Sequence, residues 1–478
     1  MAAKITEKER HIFIENMFAK LENVTVESIV SSRIPLKHNG RHLLGLCPFH
    51  NDTHLGSFLV TPDRGIWKCF ACGDGYAGNG IKFISLYDGI DYLQAAFKVA
   101  LEKGIITYDE YSLYSQRQNY SESYIKKIAE KYDKEKKSSA KPLKMADIAI
   151  RHNVYHVIKD ACQLSDQHMS QLKEERKLSD ERINADYFTF PCLSWEKNNV
   201  IKKIREEYPE YTDEVLMTVP GFYYDRTKKK IAFYAVKGIG MLIHDVYGRV
   251  AAIQIRRDTI KEGQQRYIWF SSSFAPYEPD KYIGGTGCGS PRDILYPANT
   301  DRSILCITEG RFKSEVIRDF GNVTISLQGV GSQKGLDSDI TEIMKELPIK
   351  SVFLMFDADS FGNTAVFLQL EKLICMLQGK FPSLKIRVVC WRKEYGKGID
   401  DLYHNGKIKT VKYIESDLYV KTYRSVLSKI LKSYETESLS DLKKLSLEEK
   451  KSFEDNLQQA EESCLLYTSP SPRDLSTS

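Results

Sequence analysis

Two groups of residues in this chain have the types and spacing that chemistry requires. The first is Cys47-x2-His50-x18-Cys69-x2-Cys72. Each two-residue gap lets both side chains of a knuckle reach one ion, and the long spacer leaves room for a β-ribbon to return. Four soft or borderline ligands in two pairs suit tetrahedral Zn2+, and a closed ligand shell implies a structural role. A redox Cys-x-x-Cys would account for Cys69 and Cys72 but would leave Cys47 and His50 unexplained. His54 is a further imidazole nearby, expected at the surface. The second group is acidic: Cys306-Ile-Thr-Glu-Gly310, Phe353-Leu-Met-Phe-Asp-Ala-Asp359 and Gly396-Lys-Gly-Ile-Asp-Asp401. Glu309, Asp357 and Asp359 each follow an apolar run of strand length, and carboxyl ends of strands in an open α/β sheet converge on one crevice. Carboxylates gathered there repel one another unless a hard cation neutralises them. The Asp-x-Asp step suits Mg2+ or Mn2+, which points to metal-assisted phosphoryl chemistry. Taken singly, each acid is also an ordinary cap for the next helix.

Elements that could position these groups are legible around them. A helical stretch over 7–21 precedes short strand-like pieces and the Cys/His cluster, and helical patterns follow over 80–87 and 92–101. Residues 105–145 shift to Lys, Glu, Ser and Tyr and read as a charged linker or an extended helix. Helical segments over 153–164 and 166–175 then lead into β-rich sequence at 231–236, 240–245 and 250–255. From 301, strands at 303–308, 323–327, 351–356 and 385–391 alternate with helical patterns, which predicts a small parallel sheet with helices on both faces. The expected fold class is multidomain α+β and α/β. Its parts are a zinc-ribbon domain over 1–104, the segment 105–145, a basic mixed α+β domain over 146–300, a parallel α/β domain over 301–409 and a helical tail over 410–463. Residues 464–478 resemble the translation of a sequencing adapter and are expected to be non-native, with the natural C-terminus missing.

Composition excludes several classes. The 478 residues are 42% hydrophobic and 28% charged, ordinary for a globular chain and unlike a disordered one. No apolar run approaches a bilayer span, and the polar N-terminus carries no signal peptide, so a cytoplasmic protein without a membrane partner is expected. The net charge of +5 permits a polyanionic partner without demanding one. Ten cysteines in such a chain do not suggest a disulfide framework.

Gly45-Leu-Cys-Pro-Phe-His50, Ser57-Phe58, Pro62-Asp63, Trp67-Lys-Cys-Phe-Ala-Cys-Gly73 and Gly78-Asn-Gly80 closely resemble the zinc-ribbon domain of bacterial replicative DNA primases. That resemblance covers about residues 24–101 and implies recognition of single-stranded template. Phe58, Trp67 and Phe70 would then stack on bases, with Arg64 and Lys68 on phosphates. The other reading of these aromatics is a small core around the metal, favoured for Phe58 and open for Trp67. The order Glu-Gly, Asp-x-Asp and a downstream Gly-x-Asp resembles the TOPRIM domain shared by primases, topoisomerases and some nucleases. It implies Glu309 as general acid or base and metal ligand, Asp357 and Asp359 as metal ligands, and Asp400 as the third acidic position, with Asp401 as the alternative. Residues 245–257 and 266–271 resemble the basic half of a primase polymerase core, which implies Arg249, Arg256, Arg257 and Arg266 over template and incoming nucleotide. If Arg256 and Arg257 lie on one strand they point to opposite faces, so only one should line the crevice. A solvated basic strand edge is the other reading.

One departure stands out. Lys313 occupies a position where bacterial replicative primases carry an acid, which looks closer to primase-like proteins of phages, plasmids and integrative elements. Lys313 would lower the pKa of Glu309 or stand in place of a metal. No G-x-x-x-x-G-K-[ST] loop occurs, so no helicase motor of that type is fused within the chain. The expectation is therefore a DNA primase that joins ribonucleoside triphosphates into short RNA primers on single-stranded DNA, with structural Zn2+ and catalytic Mg2+ or Mn2+. A replicative helicase is the further partner that the resemblance allows. The alternatives are a non-catalytic zinc-dependent single-strand-binding protein and a TOPRIM nuclease.

Overall fold

The computed structural model describes residues 5–50, 52, 55–73, 75–133, 143–261, 264–297, 303–433 and 447–461. His54 and the adapter-like 464–478 lie outside them. The chain divides into two compact units, residues 1–138 with 262–264 and residues 139–261 with 265–478.

The first unit is built on a five-stranded antiparallel ribbon, Lys37–Asn39, His42–Gly45, Phe58–Thr61, Ile66–Cys69 and Ala77–Gly78, paired in chain order. Helix Glu7–Leu21 starts at a capping box in which Thr6 and Glu9 satisfy each other's backbone N–H groups. Its buried face, Ile14, Met17, Phe18 and Leu21, joins Phe83, Leu93 and Phe97 from helices Gly80–Asp88 and Tyr92–Glu102 in one core. The charged segment differs from an extended linker. Helices Tyr108–Tyr114 and Glu122–Tyr132 fold back, and Tyr120, Ile125 and Ile128 are buried in the same core. Lysines dominate the composition there, but Ile125 and Ile128, three residues apart, make the apolar stripe that a short helix needs.

The second unit holds three sheets. A four-stranded antiparallel sheet runs Tyr267–Trp269, Val250–Arg257, Gly238–His244, Tyr187–Thr189, with helices Ile148–Ala161 and Ser194–Glu207 contributing to the core on one face. A small three-stranded sheet is formed by Tyr282–Ile283, Phe222–Asp225 and Lys230–Phe233. The third has six strands in the order Asp293–Leu295, Val323–Leu327, Ile304–Glu309, Ser351–Met355, Lys385–Cys390, Lys412–Glu415. Its four central strands are parallel and its two edges antiparallel. The parallel core is the one the sequence predicts. The edge strands come from segments expected to belong to the preceding domain and to the tail, so the sheet outruns 301–409 at both ends.

Helices cover both faces of this sheet. Leu305 and Ile307 join one core, and the alternate residues Ile304 and Cys306 join the other with Ile317, Ile399 and Leu402. The tail is part of the fold: Tyr419 and Tyr423 from helix Ser416–Ser433, and Phe453 and Leu457 from helix Leu447–Glu461, are buried in the first of these cores. Among the described residues no helix is long and apolar enough to cross a membrane.

Candidate functional site

In the ribbon, Gly45 pairs with Phe58 and Phe58 with Cys69 across three strands, which sets the Cys47–His50 knuckle beside the Cys69–Cys72 knuckle. The four ligand atoms lie within 4.8 Å of one another. Cys47 Sγ is 3.7 Å from Cys72 Sγ, and His50 Nδ1 is 3.2 Å from Cys72 Sγ and 3.6 Å from Cys69 Sγ. Zn–S bonds of about 2.3 Å and Zn–N bonds of about 2.0 Å give tetrahedral edges of roughly 3.5–3.8 Å, close to these. The backbone N–H groups of Phe49 and Cys72 donate to Cys47 Sγ and Cys69 Sγ, each at 3.4 Å. Asp52 accepts from Cys47 N–H at 2.8 Å and stands 3.7 Å from His50 Nε2, the ring nitrogen other than the one close to the sulfurs. Burial first, then Cys69 and Cys72, push the Cys47 thiol far above its ordinary range, while hydrogen bonds from Cys47 and Cys72 pull Cys69 far below. Three thiolates can share this space only around a cation, and the donor set fits structural Zn2+.

Around the metal knuckles the aromatics make a core. Trp67 is fully buried, 5.3 Å from Phe58 and 5.5 Å from Phe83 between ring centroids, and its Nε1 donates to Asn79 O at 2.9 Å. The expectation that Trp67 stacks on bases is therefore corrected: its ring has no free face and its polar edge is satisfied. Phe58 is core as expected. Lys68, on the opposite face of the same strand, is exposed with its Nζ 5.0 Å from the ring of Phe70, itself 49% exposed.

In the second unit the parallel strands deliver the acids. Glu309 ends strand Ile304–Glu309, and Gly310 turns the chain into helix Arg311–Asp319 at φ 92°, a conformation that favours glycine. Asp357 and Asp359 follow strand Ser351–Met355, and Ala358 N–H between them donates to Lys397 O at 2.9 Å. Asp400 and Asp401 open helix Ile399–His404. Asp401 accepts from Gly398 N–H at 3.1 Å and caps the helix, whereas Asp400 is buried beside Lys313. Lys313, one turn into its helix, donates to Asp357 Oδ1. Lys397 Nζ lies 3.2 Å from Asp359 and 3.8 Å from Asp357, and Arg176 lies 3.5 Å from Asp400. Desolvation in this crowded cleft raises the Glu309 pKa, with Asp357 and Asp359 adding and Lys313 and Lys397 opposing. Burial and then Asp401 raise that of Asp400. Burial opposes the charge on Lys313, but Asp357, Glu309 and Asp400 together hold its pKa above the ordinary lysine value.

A cavity of about 260 Å³ opens against Glu309, Lys313 and Asp400, with Arg176, Gln254 and Gln328 in its wall. Gln254 Nε2 donates to Gln328 Oε1 at 2.7 Å. Arg256 lies two residues further along the same strand and so on the same face as Gln254; it is 6% exposed, and its Nε is buried without a hydrogen-bond partner among the described residues. Arg257 takes the other face, as the alternation requires. Arg266 is exposed at the sheet edge. Arg249 is a correction: it sits in the turn at the other end of the strand, about 23 Å from Arg256 at 3.3 Å per residue. There Asp245 accepts from its Nε and Nη2 at 2.9 and 2.7 Å, so its charge is spent on the hairpin.

Three residues escaped the sequence reading. Arg176 comes from the π-helical turn region far upstream. Gln458 of the tail helix donates to Ala358 O at 2.9 Å and accepts from Gly362 N–H at 3.1 Å, clamping the Asp-x-Asp loop. Arg311, next to Gly310, is 3% exposed, and its guanidinium reaches Glu315 at 2.8 Å, Leu242 O at 2.9 Å, Asp293 and Asp186. Arg182 bonds both Asp186 at 2.7 Å and Glu315 at 3.2 Å, and Tyr187 Oη donates to Glu315 at 2.9 Å. This buried network ties the acid-bearing helix Arg311–Asp319 to the antiparallel sheet. The pairs Arg311–Glu315 and Arg182–Asp186, each one helical turn apart, were its local signals.

Residues 12–115 match the family model of the CHC2 zinc finger, and residues 298–409 match a domain of unknown function, DUF3854. The chain is similar to the DNA primase of Clostridium acetobutylicum, at 36% identity over 26% of this chain and 19% of that one. It is similar also to that of Aquifex aeolicus, at 40% identity over 17% and 16%. Each match therefore spans under a fifth of the relative's length. The solved zinc-binding and RNA polymerase domains of the Aquifex aeolicus primase align over 87% of this chain and 89% of that one, at 18% identity and a TM-score of 0.40.

Proposed function

We propose that the chain is a DNA primase whose polymerising site is the carboxylate cleft of the second unit. The observation that carries this reading is the placement of Glu309 and Asp400 on one arginine- and glutamine-walled cavity, with Lys313 between them and bonded to Asp357, in a chain with a CHC2 zinc finger. The similarity to DNA primases supports it. Residues 1–138 would form the template-binding unit, with Lys68 and Phe70 as its exposed cation and ring, and the six-stranded sheet with its edges the catalytic domain.

Glu309, Asp357 and Asp359 would hold Mg2+ or Mn2+, which when bound activates a primer 3′ hydroxyl and neutralises the leaving pyrophosphate. Glu309, at its strand end on the same cavity, is placed to take the proton of that hydroxyl. Arg256 and Arg176 offer guanidinium groups to the triphosphate of an incoming ribonucleotide, and the Gln254–Gln328 pair fixes the wall between them. The Lys313 departure points to a primase of a mobile element, and a replicative helicase is a partner of that setting. A second reading, a single-strand-binding protein without catalysis, is favoured by one observation, the ion pair of Lys313 with Asp357.

A priming assay on single-stranded DNA with labelled ribonucleotides, in Mg2+ and then Mn2+, separates these. Short products that vanish in the Asp357→Ala, Asp359→Ala double variant support the primase. Retained DNA binding without products leaves the binding protein, and template degradation without nucleotides identifies a nuclease.

A further inference from the structure

The carboxylate cleft already contains cations. Asp357 is bonded by Lys313, Asp359 is 3.2 Å from Lys397, and Asp400 is 3.5 Å from Arg176. Each aspartate thus has a resident positive group, and only Glu309 has none of its own. Glu309, Asp357, Asp359 and Asp400 against these three cations leave the cluster one net negative charge, or two with Asp401, which acts on Asp400. A pair of divalent ions would carry four positive charges into it, and one would carry two.

A second observation shows that the fold makes room for Lys313. Gly398 has φ −99°, which any residue adopts, so its backbone does not require glycine. It lies against two side chains of the site: a Cβ there would stand 2.8 Å from Lys313 Cε and 2.4 Å from Asp400 Oδ1, so a larger residue would shift the lysine or the aspartate. The Lys-Gly-Ile-Asp loop thus leaves the lysine stem its place, half-buried and between Asp357 and Asp400. An ammonium held this way is a fixed part of the site.

Resting on the metal-binding reading of these acids, we infer that Lys313 is a built-in counter-cation that takes the place of a second divalent ion, so that the cleft accepts one Mg2+ or Mn2+. The lysine positions Asp357 and neutralises it, and the single ion goes to the carboxylate oxygens that remain. Two-ion sites hold their ions about 3.5–4 Å apart, and here an ammonium already bonds one oxygen of Asp357.

Counting bound Mn2+ tests this without reference to activity. The zinc-loaded full chain is titrated with Mn2+ and the free ion is read by electron paramagnetic resonance, with no nucleotide or template present. Wild type is expected to bind one ion per chain. Lys313→Met should bind it at least tenfold more tightly, Lys313→Glu should bind two, and Asp357→Ala should weaken the ion at least tenfold. Zinc content and far-UV circular dichroism confirm that each variant is folded. Two ions or none in wild type, or Lys313→Met and Lys313→Glu that titrate like wild type, would overturn the inference. A chain that binds one Mn2+ in this pattern yet makes no primers would refute the primase reading and leave the role of Lys313 standing.

Discussion

The zinc knuckles and the carboxylate cleft both gather side chains that repel one another, and they meet the problem in opposite ways. At the knuckles three thiols and an imidazole converge, with the N–H groups of Phe49 and Cys72 on the sulfurs and Asp52 beside them. A shared cation is the compensation that this donor set suits. In the cleft, Lys313, Lys397 and Arg176 are paired with the aspartates before any ion arrives. The first site is expected to need its metal to fold, and the second to hold its shape without one. Such a contrast is what a structural zinc centre and a proposed catalytic site, with ligand positions open for substrate, would show.

The largest expected effect follows from the first half of the comparison. Structural zinc sites bind with apparent free energies of about 10–16 kcal/mol, and that energy is folding energy. Stripping zinc, or Cys69→Ser, should unfold residues 12–115, read as loss of amide protection throughout the ribbon. Removing Mg2+ or Mn2+ with the zinc retained should leave the thermal transition of the second unit unmoved. A shift there of more than a few degrees would show that the cleft too relies on its ion.

Next in size is Arg311. Breaking a buried ion-pair network by removing one partner costs about 3–5 kcal/mol, and Arg311→Met should lower the denaturant midpoint of the second unit accordingly. Arg311→Lys should recover little, because a point charge cannot reach Glu315, Leu242 O, Asp293 and Asp186 together. An unaffected midpoint would mean that the network does not hold the acid-bearing helix to the antiparallel sheet.

The same network sets an acid limit. Burial would raise the Glu315 pKa, but Arg311 first, then Arg182 and Arg318, hold it down at about 2 from an ordinary 4.5. A carboxylate depressed in the folded state contributes stability that is complete above its unfolded pKa and is lost as pH falls toward the folded one. Stability of the second unit should therefore decline between about pH 4.5 and 2, and Glu315→Gln should flatten that decline. Equal slopes in the two proteins would contradict the assignment. The smallest effect is expected at Gln458, where Gln458→Ala removes two hydrogen bonds, worth about 1 kcal/mol each. Amide exchange at residues 357–363 should quicken while the rest of the sheet is unchanged.

What could be read from sequence divides along the same line. The zinc ligands are local: two knuckles on one ribbon, with spacing that announces tetrahedral geometry. Glu309, Asp357 and Asp359 were legible as candidates because each follows an apolar run, and parallel strands bring such ends together, whereas Asp400, in helix Ile399–His404, was pointed to only by the family resemblance. Their counter-cations were harder to find. Arg176 meets Asp400 across 224 positions and Gln458 meets Ala358 across 100, separations at which no periodicity carries information. Edge strands Asp293–Leu295 and Lys412–Glu415 are too short to show alternation. Trp67 was ambiguous because ribbon strands carry one inward and one outward face, and only its packing against Phe58 and Phe83 decides which it occupies. Arg249 looked like Arg256 in composition, but Asp245, four residues before it, had already claimed its charge.

The most direct test of the central claim is extension of a preformed RNA primer on a DNA template, which needs the polymerising site and not the initiation step. Wild type and a Cys47→Ser, Cys72→Ser variant are compared with Asp357→Ala, Asp359→Ala. The account predicts that the first two extend the primer in Mg2+ or Mn2+ and that the aspartate variant does not. Extension that survives in the aspartate variant, or is absent from wild type, would contradict it.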